Sequence, residues 1–213
     1  WVGPYAYRSE CIDQMRHGRV FFMGDSAKVV SPFGARGGNT GIADADNLAW
    51  KLAAVLQGRA APALLDTYHQ ERHEAARQNV LVTNRTARFL RPADGVERLF
   101  RTAAISLARQ HVFARQFVNT GRMAVANSYT QSSACDSTGG LSVQNVSFRW
   151  ADGSPGLVNE LLQWADGRLL VLVFASFSAA SLQRLRALCA HAPLRAVQVL
   201  GAEPPPLAPL RDG

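Results

Sequence analysis

The chain lacks the features of a secreted or membrane-spanning protein. Its 213 residues contain three cysteines, Cys11, Cys135 and Cys189, which are far apart and form no Cys-x-x-Cys pair. Widely separated cysteines of odd number provide no disulfide framework and no dithiol centre. No apolar run approaches the roughly 20 residues that a bilayer-spanning helix needs, and the first residues do not resemble a signal peptide. We therefore expect a globular cytoplasmic protein with no membrane partner.

Two common kinds of ligand site are also missing from the sequence. No two of the 17 glycines lie two residues apart, so the chain has no G-x-G-x-x-G fingerprint for a dinucleotide. The five histidines include one pair at helical spacing, His69 and His73, but a zinc site needs three or four protein ligands. We therefore expect no bound metal and two solvated histidines.

Negative charge is scarce relative to positive charge, because 16 acidic residues face 23 basic ones and the net charge is +7. The excess lies in the middle of the chain and is almost entirely arginine. Nucleic-acid binding would need basic residues on one face, interleaved with exposed aromatic ones. The arginines instead follow helical patterns, which predicts solvated helix faces and no nucleic-acid partner. The neighbours Glu71 and Arg72 are accordingly interpreted as a helix-surface ion pair.

The first half of the chain reads as one strand followed by helices. Residues 18–23 form a short apolar run that predicts a buried strand ending at Gly24. Apolar residues then recur at helical spacing and predict a helix over 40–57. A second, long helix is expected to end before Pro92, and a third to run from about Val96 to near Gly121. The last two are expected to be antiparallel.

The second half reads as a linker and a small α/β domain. Residues 119–145 are small and polar, which is typical of a linker or surface loop. Beyond them the pattern predicts a strand at 169–174, a helix at 178–191 and a strand at 196–200. The expected fold class is α/β, with residues 1–125 as the first domain, 126–138 as a linker and 139–213 as the second domain.

The stretch GDSAKVVSPFGARGGNTGIADADNLAWKL, residues 24–52, contains the clearest candidate site. An acid at the end of a strand, Asp25, can accept hydrogen bonds from ligand hydroxyl groups. Glycines around a helix start let backbone N–H groups approach a ligand at the positive end of the helix dipole. This combination suits a polyol joined to a polarisable ring. A flexible loop, with Asp25 capping a turn, explains the same residues equally well.

The same residues resemble the second flavin-binding motif of the FAD-dependent aromatic hydroxylases, the class A flavoprotein monooxygenases. The similarity is carried by Gly24-Asp25-Ser26-Ala27, by the run from Ser31 to Gly41 and by the run from Asp44 to Leu52. The preceding GRVFFMGDSA and the following LLDTYHQER fit the same family. The resemblance is strong over residues 18 to about 75.

The resemblance implies a role for each motif position. Asp25 should accept a ribityl hydroxyl of FAD, and Pro32 should lie beside the reactive edge of the isoalloxazine. The amides of Gly38 and Asn39 should face its pyrimidine side and stabilise negative charge there. The predicted cofactor-binding residues are Gly24, Asp25, Pro32, Gly37, Gly38 and Asn39, and no catalytic side chain is assigned. Relatives commonly have histidine at the position of Lys28, which is interpreted as structural. Arg36 is interpreted equally as a charge near the flavin or as a cover for the loop.

For a whole protein of this family, the resemblance implies hydroxylation of a phenolic aromatic substrate by O₂ and a flavin C4a-hydroperoxide. FAD would be reduced by NADH or NADPH. The chain itself is expected to be a carboxyl-terminal piece, so that FAD would bind poorly for want of contacts to its ADP half.

Residues from about 139 onward resemble, more weakly, the thioredoxin-like domain of the phenol-hydroxylase branch. Without Cys-x-x-Cys this domain would have a structural or subunit-contact role rather than a redox one, and a homo-oligomer is expected. The alternative is a non-catalytic interaction module with a vestigial flavin motif.

Overall fold

The computed structural model describes residue 3 and residues 6–118, 125–136, 138–174 and 178–199. The chain divides into two compact units, Trp1–Ser142 and Val143–Gly213. Both contain helices and short strands, in agreement with the α/β class that the sequence predicts. None of the helices in the described ranges is both long and apolar enough to cross a bilayer.

Four very short strands open the first unit. Strand β1 (Glu10–Cys11) pairs antiparallel with β4 (Lys28–Val29), and β2 (Arg16–His17) pairs antiparallel with β3 (Val20–Phe21). His17 stands opposite Val20, so Gly18 and Arg19 form a two-residue hairpin turn, and Gly18 has the positive φ of 58° that such turns favour.

The prediction of one buried strand over 18–23 is therefore wrong. Only Val20 and Phe21 are strand residues, and Val20 is exposed. The apolar run looked like a buried strand because its partner, residues 16–17, lies in the polar segment just before it. The backbone hydrogen bond from Phe22 to the Met15 carbonyl, 2.9 Å long, continues this local pairing.

Helices form most of the rest of the first unit. Helix α1 spans Arg36–Leu56, α2 spans Asp66–Leu90, α3 spans Val96–Gln110 and α4 spans Arg115–Val118. The predicted end of the long helix before Pro92 is confirmed. The third helix ends earlier than predicted, because the backbone at His111 is extended and interrupts it. Helix α1 begins four residues earlier than predicted, so Gly37, Gly38 and Gly41 lie inside it.

A small apolar core joins the hairpin to α1 and α2. Its fully or nearly fully buried members are Met15, Ala27, Leu48, Tyr68 and Ala76. The Tyr68 hydroxyl donates a 2.7 Å hydrogen bond to the Phe22 carbonyl, so its polar end is satisfied inside the core. Burial raises the pKa of this phenol. The core therefore fixes the segment just before Gly24 against α2.

The buried face of α1 is mostly polar, although an apolar face was expected. Its buried residues are Thr40, Asp44, Leu48 and Lys51, whereas Ile42 and Leu56 are largely exposed. The spacing of four, four and three residues still follows one side of a helix. The helical period was thus predicted correctly and the buried side was not.

The predicted linker at 126–138 is not a free connection in the described residues, since much of it is hydrogen-bonded along α2. The Thr130 hydroxyl donates to Glu74 over 2.7 Å, the Ser132 hydroxyl to Glu71 over 2.8 Å, and the backbone amide of Ser133 to Gln70 over 2.8 Å. Small hydroxyl residues suit a surface loop, and they suit equally a segment that satisfies polar groups on a helix. The division between the two units falls after this segment.

The second unit, described from Val143 to residue 199 with a gap at 175–177, begins with a hairpin. Strand β5 (Ser147–Arg149) pairs antiparallel with β6 (Pro155–Leu157), and α5 (Val158–Ala165) follows. Strand β7 (Leu169–Val173), α6 (Ala179–His191) and β8 (Leu194–Gln198) come next, with β7 and β8 parallel. The predicted βαβ alternation is thus confirmed within this unit.

We expect His69 to make the first unit less stable in acid. Its Nδ1 accepts a 3.2 Å hydrogen bond from the Met15 amide, which a protonated imidazole cannot do. Burial lowers its pKa from 6.5, and His73 and His17 lower it further. The unfolded chain therefore takes up the proton first, so the free energy of unfolding falls as pH drops below about 6.5.

Urea unfolding at pH 7.5 and pH 5 measures this effect. His69→Gln should weaken the pH dependence, whereas His73→Gln, which leaves the Met15 contact in place, should retain most of it. Equal slopes for the wild type and His69→Gln would contradict the assignment.

Candidate functional site

The acidic end of the predicted motif lies in a single turn of 3-10 helix. Residues Gly24–Ser26 form this turn between β3 and β4. Gly24 has φ +56°, a left-handed conformation that an L side chain adopts only at a cost. The side chain of Asp25 is exposed, and Met23 and Ser26 close the turn through two hydrogen bonds of 3.2 and 2.7 Å. The turn thus presents one carboxylate to solvent.

The other end of the motif is the start of α1, which has no side-chain cap. Ala35 precedes the helix in the left-handed conformation, with φ 51° and ψ 34°. Its methyl side chain cannot accept a hydrogen bond from an N–H group of the first turn. No acidic residue occurs in the first turn. The side-chain NH₂ group of Asn39 donates a 2.9 Å hydrogen bond to the Ala35 carbonyl. The N-cap residue of α1 therefore provides no side-chain acceptor for the N–H groups of the first turn.

Two glycines of α1 matter for access. A Cβ placed on Gly38 would project into open space, with no atom within 4 Å, and Gly38 is exposed. A Cβ placed on Gly41 would lie 3.5 Å from the Gly24 Cα. Gly41 therefore marks the place where α1 contacts the Gly24–Ser26 turn, and Gly38 leaves the helix start bare.

Pro32 lies in the loop that leads from β4 into α1. Its side chain is exposed and its carbonyl accepts a 3.2 Å hydrogen bond from the Ala35 amide. Its neighbour Ser31 is fully buried, and the Ser31 amide donates to the Ser9 hydroxyl over 2.9 Å. The loop is thus anchored beside Pro32 while Pro32 itself stays accessible.

A buried carboxylate, Asp44, lies beneath the turn and was missed by the sequence analysis. Its Oδ2 accepts a 3.0 Å hydrogen bond from the Gly24 amide and another from the Lys28 ammonium. Its Oδ1 accepts from Arg72 Nε over 2.7 Å. Asp44 is completely buried, and Lys28 and Arg72 are 4% and 1% exposed. Lys28, interpreted as structural, here forms a buried ion pair.

Arg72 extends this cluster to the segment at 125–136. Its guanidinium donates to the Tyr129 hydroxyl over 2.6 Å and to the Thr40 carbonyl over 3.3 Å. Burial acts to lower the pKa of Arg72, but Tyr129 and Asp44 outweigh it, so the pKa is raised. Arg72 therefore remains a cation inside the fold.

Glu71 belongs to a second buried pair on the same helix. Its Oε2 accepts from Lys51 Nζ over 2.7 Å and from the Asn47 amide over 2.6 Å, and its Oε1 accepts from Ser132. Burial lowers the pKa of Lys51, although the hydrogen bond and charge of Glu71 oppose the shift. The interpretation of Glu71 and Arg72 as a surface ion pair with each other is wrong: both are buried, and each has a different partner.

Arg36 and the pair of His69 and His73 were the other residues considered as ligand-binding groups. Arg36 donates to the Asn79 side chain and, over 3.0 Å, to the Val125 carbonyl, so its described contacts are with protein. The rings of His69 and His73 are 4.9 Å apart. Within the described ranges, no three histidine, cysteine, aspartate or glutamate residues are grouped to hold a metal ion.

The exposed groups of residues 24–41 suit one class of ligand. Asp25 offers a hydrogen-bond acceptor for hydroxyl groups, and the uncapped start of α1 offers N–H donors and a partial positive charge of about half a unit. The open space at Gly38 would be filled by any larger side chain. These features fit the ribityl chain and the electron-accepting ring of a flavin.

Comparison with protein families gives the same cofactor. Residues 1–83 match the family described as FAD binding domain. Tetracenomycin B2 monooxygenase-dioxygenase of Streptomyces olivaceus is 61% identical over 72 residues, which are 34% of this chain and 13% of that protein. Dialkyldecalin synthase of Streptomyces rugosporus is 47% identical over 75 residues, 35% of this chain and 16% of that protein. Similarity over this segment thus extends to a protein named for a reaction other than hydroxylation.

Among solved structures, CabE, an aromatic hydroxylase from angucycline biosynthesis, matches with a TM-score of 0.74 and 27% identity. The match covers 100% of this chain and 42% of CabE. This chain therefore spans well under half of the relatives that it matches. Over residues 1–83 the chain is thus similar to an FAD binding domain, and in structure it is similar to an aromatic hydroxylase.

Proposed function

We propose that the chain is part of an FAD- and NAD(P)H-dependent monooxygenase that hydroxylates a phenolic aromatic substrate. The observation that carries the proposal is the pairing of an exposed carboxylate, Asp25, with an uncapped, glycine-bearing helix start. The FAD binding domain match over residues 1–83 supports it. When bound, FAD supplies the redox chemistry, taking electrons from NADH or NADPH and activating O₂.

The contribution of this chain would be binding and electrostatics. Asp25 would hold a ribityl hydroxyl, and Pro32 would lie beside the ring. Gly24 and Gly37 would keep the backbone close to the cofactor. The N–H groups of Gly38 and Asn39, at the positive end of α1, would favour negative charge on the ring, as donors in an oxyanion hole do.

The organisation proposed for the chain follows the same family. Residues 1–125 would belong to the FAD-binding domain, and residues 139–213 would form a thioredoxin-like domain without a dithiol. The parallel β7 and β8 around α6 support the second assignment. All three cysteines are free, which agrees with a reducing cytoplasm.

Riboflavin is the sharpest probe of the proposed site, because it carries the ring and the ribityl chain without the ADP half of FAD. We expect weak, saturable quenching of riboflavin fluorescence by the wild-type chain and loss of saturation in Asp25→Ala. FAD should behave similarly, since the extra ADP group would gain few contacts here.

Gly38→Ala provides the matched variant at the helix start. Alanine should stabilise α1 by up to about 1 kcal/mol against urea, while its methyl group occupies the open space and weakens riboflavin binding. If Gly38→Ala were less stable than the wild type, its weaker riboflavin binding would be explained by a damaged fold rather than by a blocked site. Quenching that is equal in the wild type and both variants would contradict the site.

An interaction module remains the second candidate, because α3 and the residues after it expose a large apolar surface. Leu99 is 71% exposed and Phe113 is 62% exposed, which is typical of a surface that another protein covers. We expect the chain to self-associate at micromolar concentration, and Leu99→Ser with Phe113→Ser to shift sedimentation toward the monomer. Monomeric wild type at all concentrations would contradict this candidate.

A further inference from the structure

Asp44 makes none of the contacts proposed for FAD, yet it is joined to the turn that carries Asp25. Its carboxylate accepts hydrogen bonds from a turn amide, from a strand lysine and from a helix arginine, namely Gly24, Lys28 and Arg72. Asp44 itself lies on α1. One fully buried side chain therefore connects the turn with β4, α1 and α2.

The two cations fix where this carboxylate stands. Asp44, Lys28 and Arg72 are all at least 96% buried, and a carboxylate in such a place cannot leave its partners without a large desolvation cost. Hydrogen bonds to charged groups are also stronger than those between neutral ones. Lys28 and Arg72 thus set the position of Asp44, and the Gly24 amide follows it.

Hydrogen bonds within the turn cannot do the same. The Ala27 amide donates to the Gly24 carbonyl over 3.0 Å, and Met23 and Ser26 bond to each other. These contacts shape residues 23–27 but leave the position of the turn relative to α1 undetermined. That position decides how far the Asp25 carboxylate lies from the bare helix start.

We propose that Asp44 is the positioning residue of the Gly24–Ser26 turn and thereby of the proposed ribityl acceptor Asp25. The effect of Asp44 on flavin binding rests on the proposed function, whereas its effect on the position of the turn does not. The test therefore has one measurement without cofactor and one with riboflavin.

The first measurement is amide hydrogen exchange at Gly24 in the Asp44→Asn chain. Asparagine has a single accepting oxygen, for which the charged Lys28 and Arg72 compete with the Gly24 amide, so the amide loses the charged acceptor that the carboxylate gives it. We expect Gly24 to exchange at least about tenfold faster than in the wild type. Ala76→Gly is the control, because it weakens α2 without removing a group that bonds to the turn.

Asp44→Asn leaves two buried cations without a carboxylate and can fail to fold, so a second pair of variants carries the same test. Lys28→Met keeps the pair of Asp44 with Arg72 and should keep Gly24 protected. Lys28→Met with Asp44→Asn retains the wild-type net charge of the cluster and should lose that protection about tenfold.

The proposal is supported if the Gly24 amide exchanges fast only in the variants that lack the Asp44 carboxylate. The same variants should bind riboflavin at least about tenfold more weakly than their matched parents. Equal exchange at Gly24 in Lys28→Met and its Asp44→Asn derivative overturns it, as does an equal rise in Ala76→Gly. If the wild type binds no riboflavin, the proposed function fails, and the exchange at Gly24 still decides the role of Asp44.

Discussion

Glu71→Gln is expected to lower the free energy of unfolding by about 3–5 kcal/mol at pH 7, the usual cost of breaking a buried ion pair from one side. Lys51, which is 1% exposed, would keep its proton and lose its only described carboxylate partner. Asn47 and Ser132 would compete for the single oxygen that remains. Urea unfolding followed by circular dichroism measures the loss.

The pH dependence of this loss identifies its cause. Burial already lowers the pKa of Lys51, and removing Glu71 lowers it further. Raising the pH toward the ordinary lysine value lets the folded variant release the proton, so the penalty should shrink between pH 7 and pH 9.5.

Glu74→Gln is the matched control for Glu71. Glu74 lies one turn further along α2, and its described partners are the uncharged Thr130 and Gln131. Its replacement should change stability by no more than about 0.5 kcal/mol. If Glu71→Gln costs under about 1 kcal/mol at pH 7, the pair is not buried in solution.

Gly140→Ala is expected to cost about 2–5 kcal/mol and to release residues 125–136 from α2. Gly140 has φ +78°, and a Cβ there would lie 2.5 Å from the Tyr129 carbonyl oxygen and 2.6 Å from its carbonyl carbon. The left-handed conformation costs an L residue roughly 1–2 kcal/mol, and overpacking adds about 1–3 kcal/mol. Because the obstacle is backbone, the segment has to move as a whole.

Moving that segment withdraws the Tyr129 hydroxyl from Arg72 and the Ser132 hydroxyl from Glu71. Limited proteolysis should therefore cut Gly140→Ala within 125–136 sooner than the wild type. Gly139→Ala is the control, since its Cβ would approach Cys135 Cβ only to 3.3 Å. Equal stability of the two variants would show that the segment is not seated as described.

The sequence predicted best those elements whose signals are local. Pro92 and the helical spacing before it predicted the end of α2, and the alternation of apolar runs predicted β7, α6 and β8. Each depends on residues that are neighbours in the chain, so tertiary contacts do not decide it.

The polar interior could not be predicted in the same way. Arg72 lies on the same buried side of α2 as Tyr68 and Ala75, but its charge favoured the interpretation of a surface ion pair. The partner that makes its burial possible, Asp44, is 28 residues away. Pairing at that distance leaves no pattern in one sequence.

The candidate site was half predictable. Spacing and family resemblance identified residues 24–41, because glycine and aspartate have specific backbone and hydrogen-bonding properties there. Asp44 begins the last run that carries the resemblance, but neither spacing nor resemblance assigned it a role, because that role depends on where α1 crosses the turn. One signal was available, the helical spacing of Thr40, Asp44, Leu48 and Lys51. It was not used because the buried face of a helix was assumed to be apolar.

The chain has only two lysines, Lys28 and Lys51. Both ammonium groups are buried and paired with carboxylates. The other lysine-or-arginine positions of the chain are all arginines, and a guanidinium does not react as a primary amine. A reagent that acylates primary amines therefore finds no accessible lysine on the folded chain. Covalent labelling of Lys28 or Lys51 would report the opening of the polar interior, which gives this fold a built-in chemical reporter of its own unfolding.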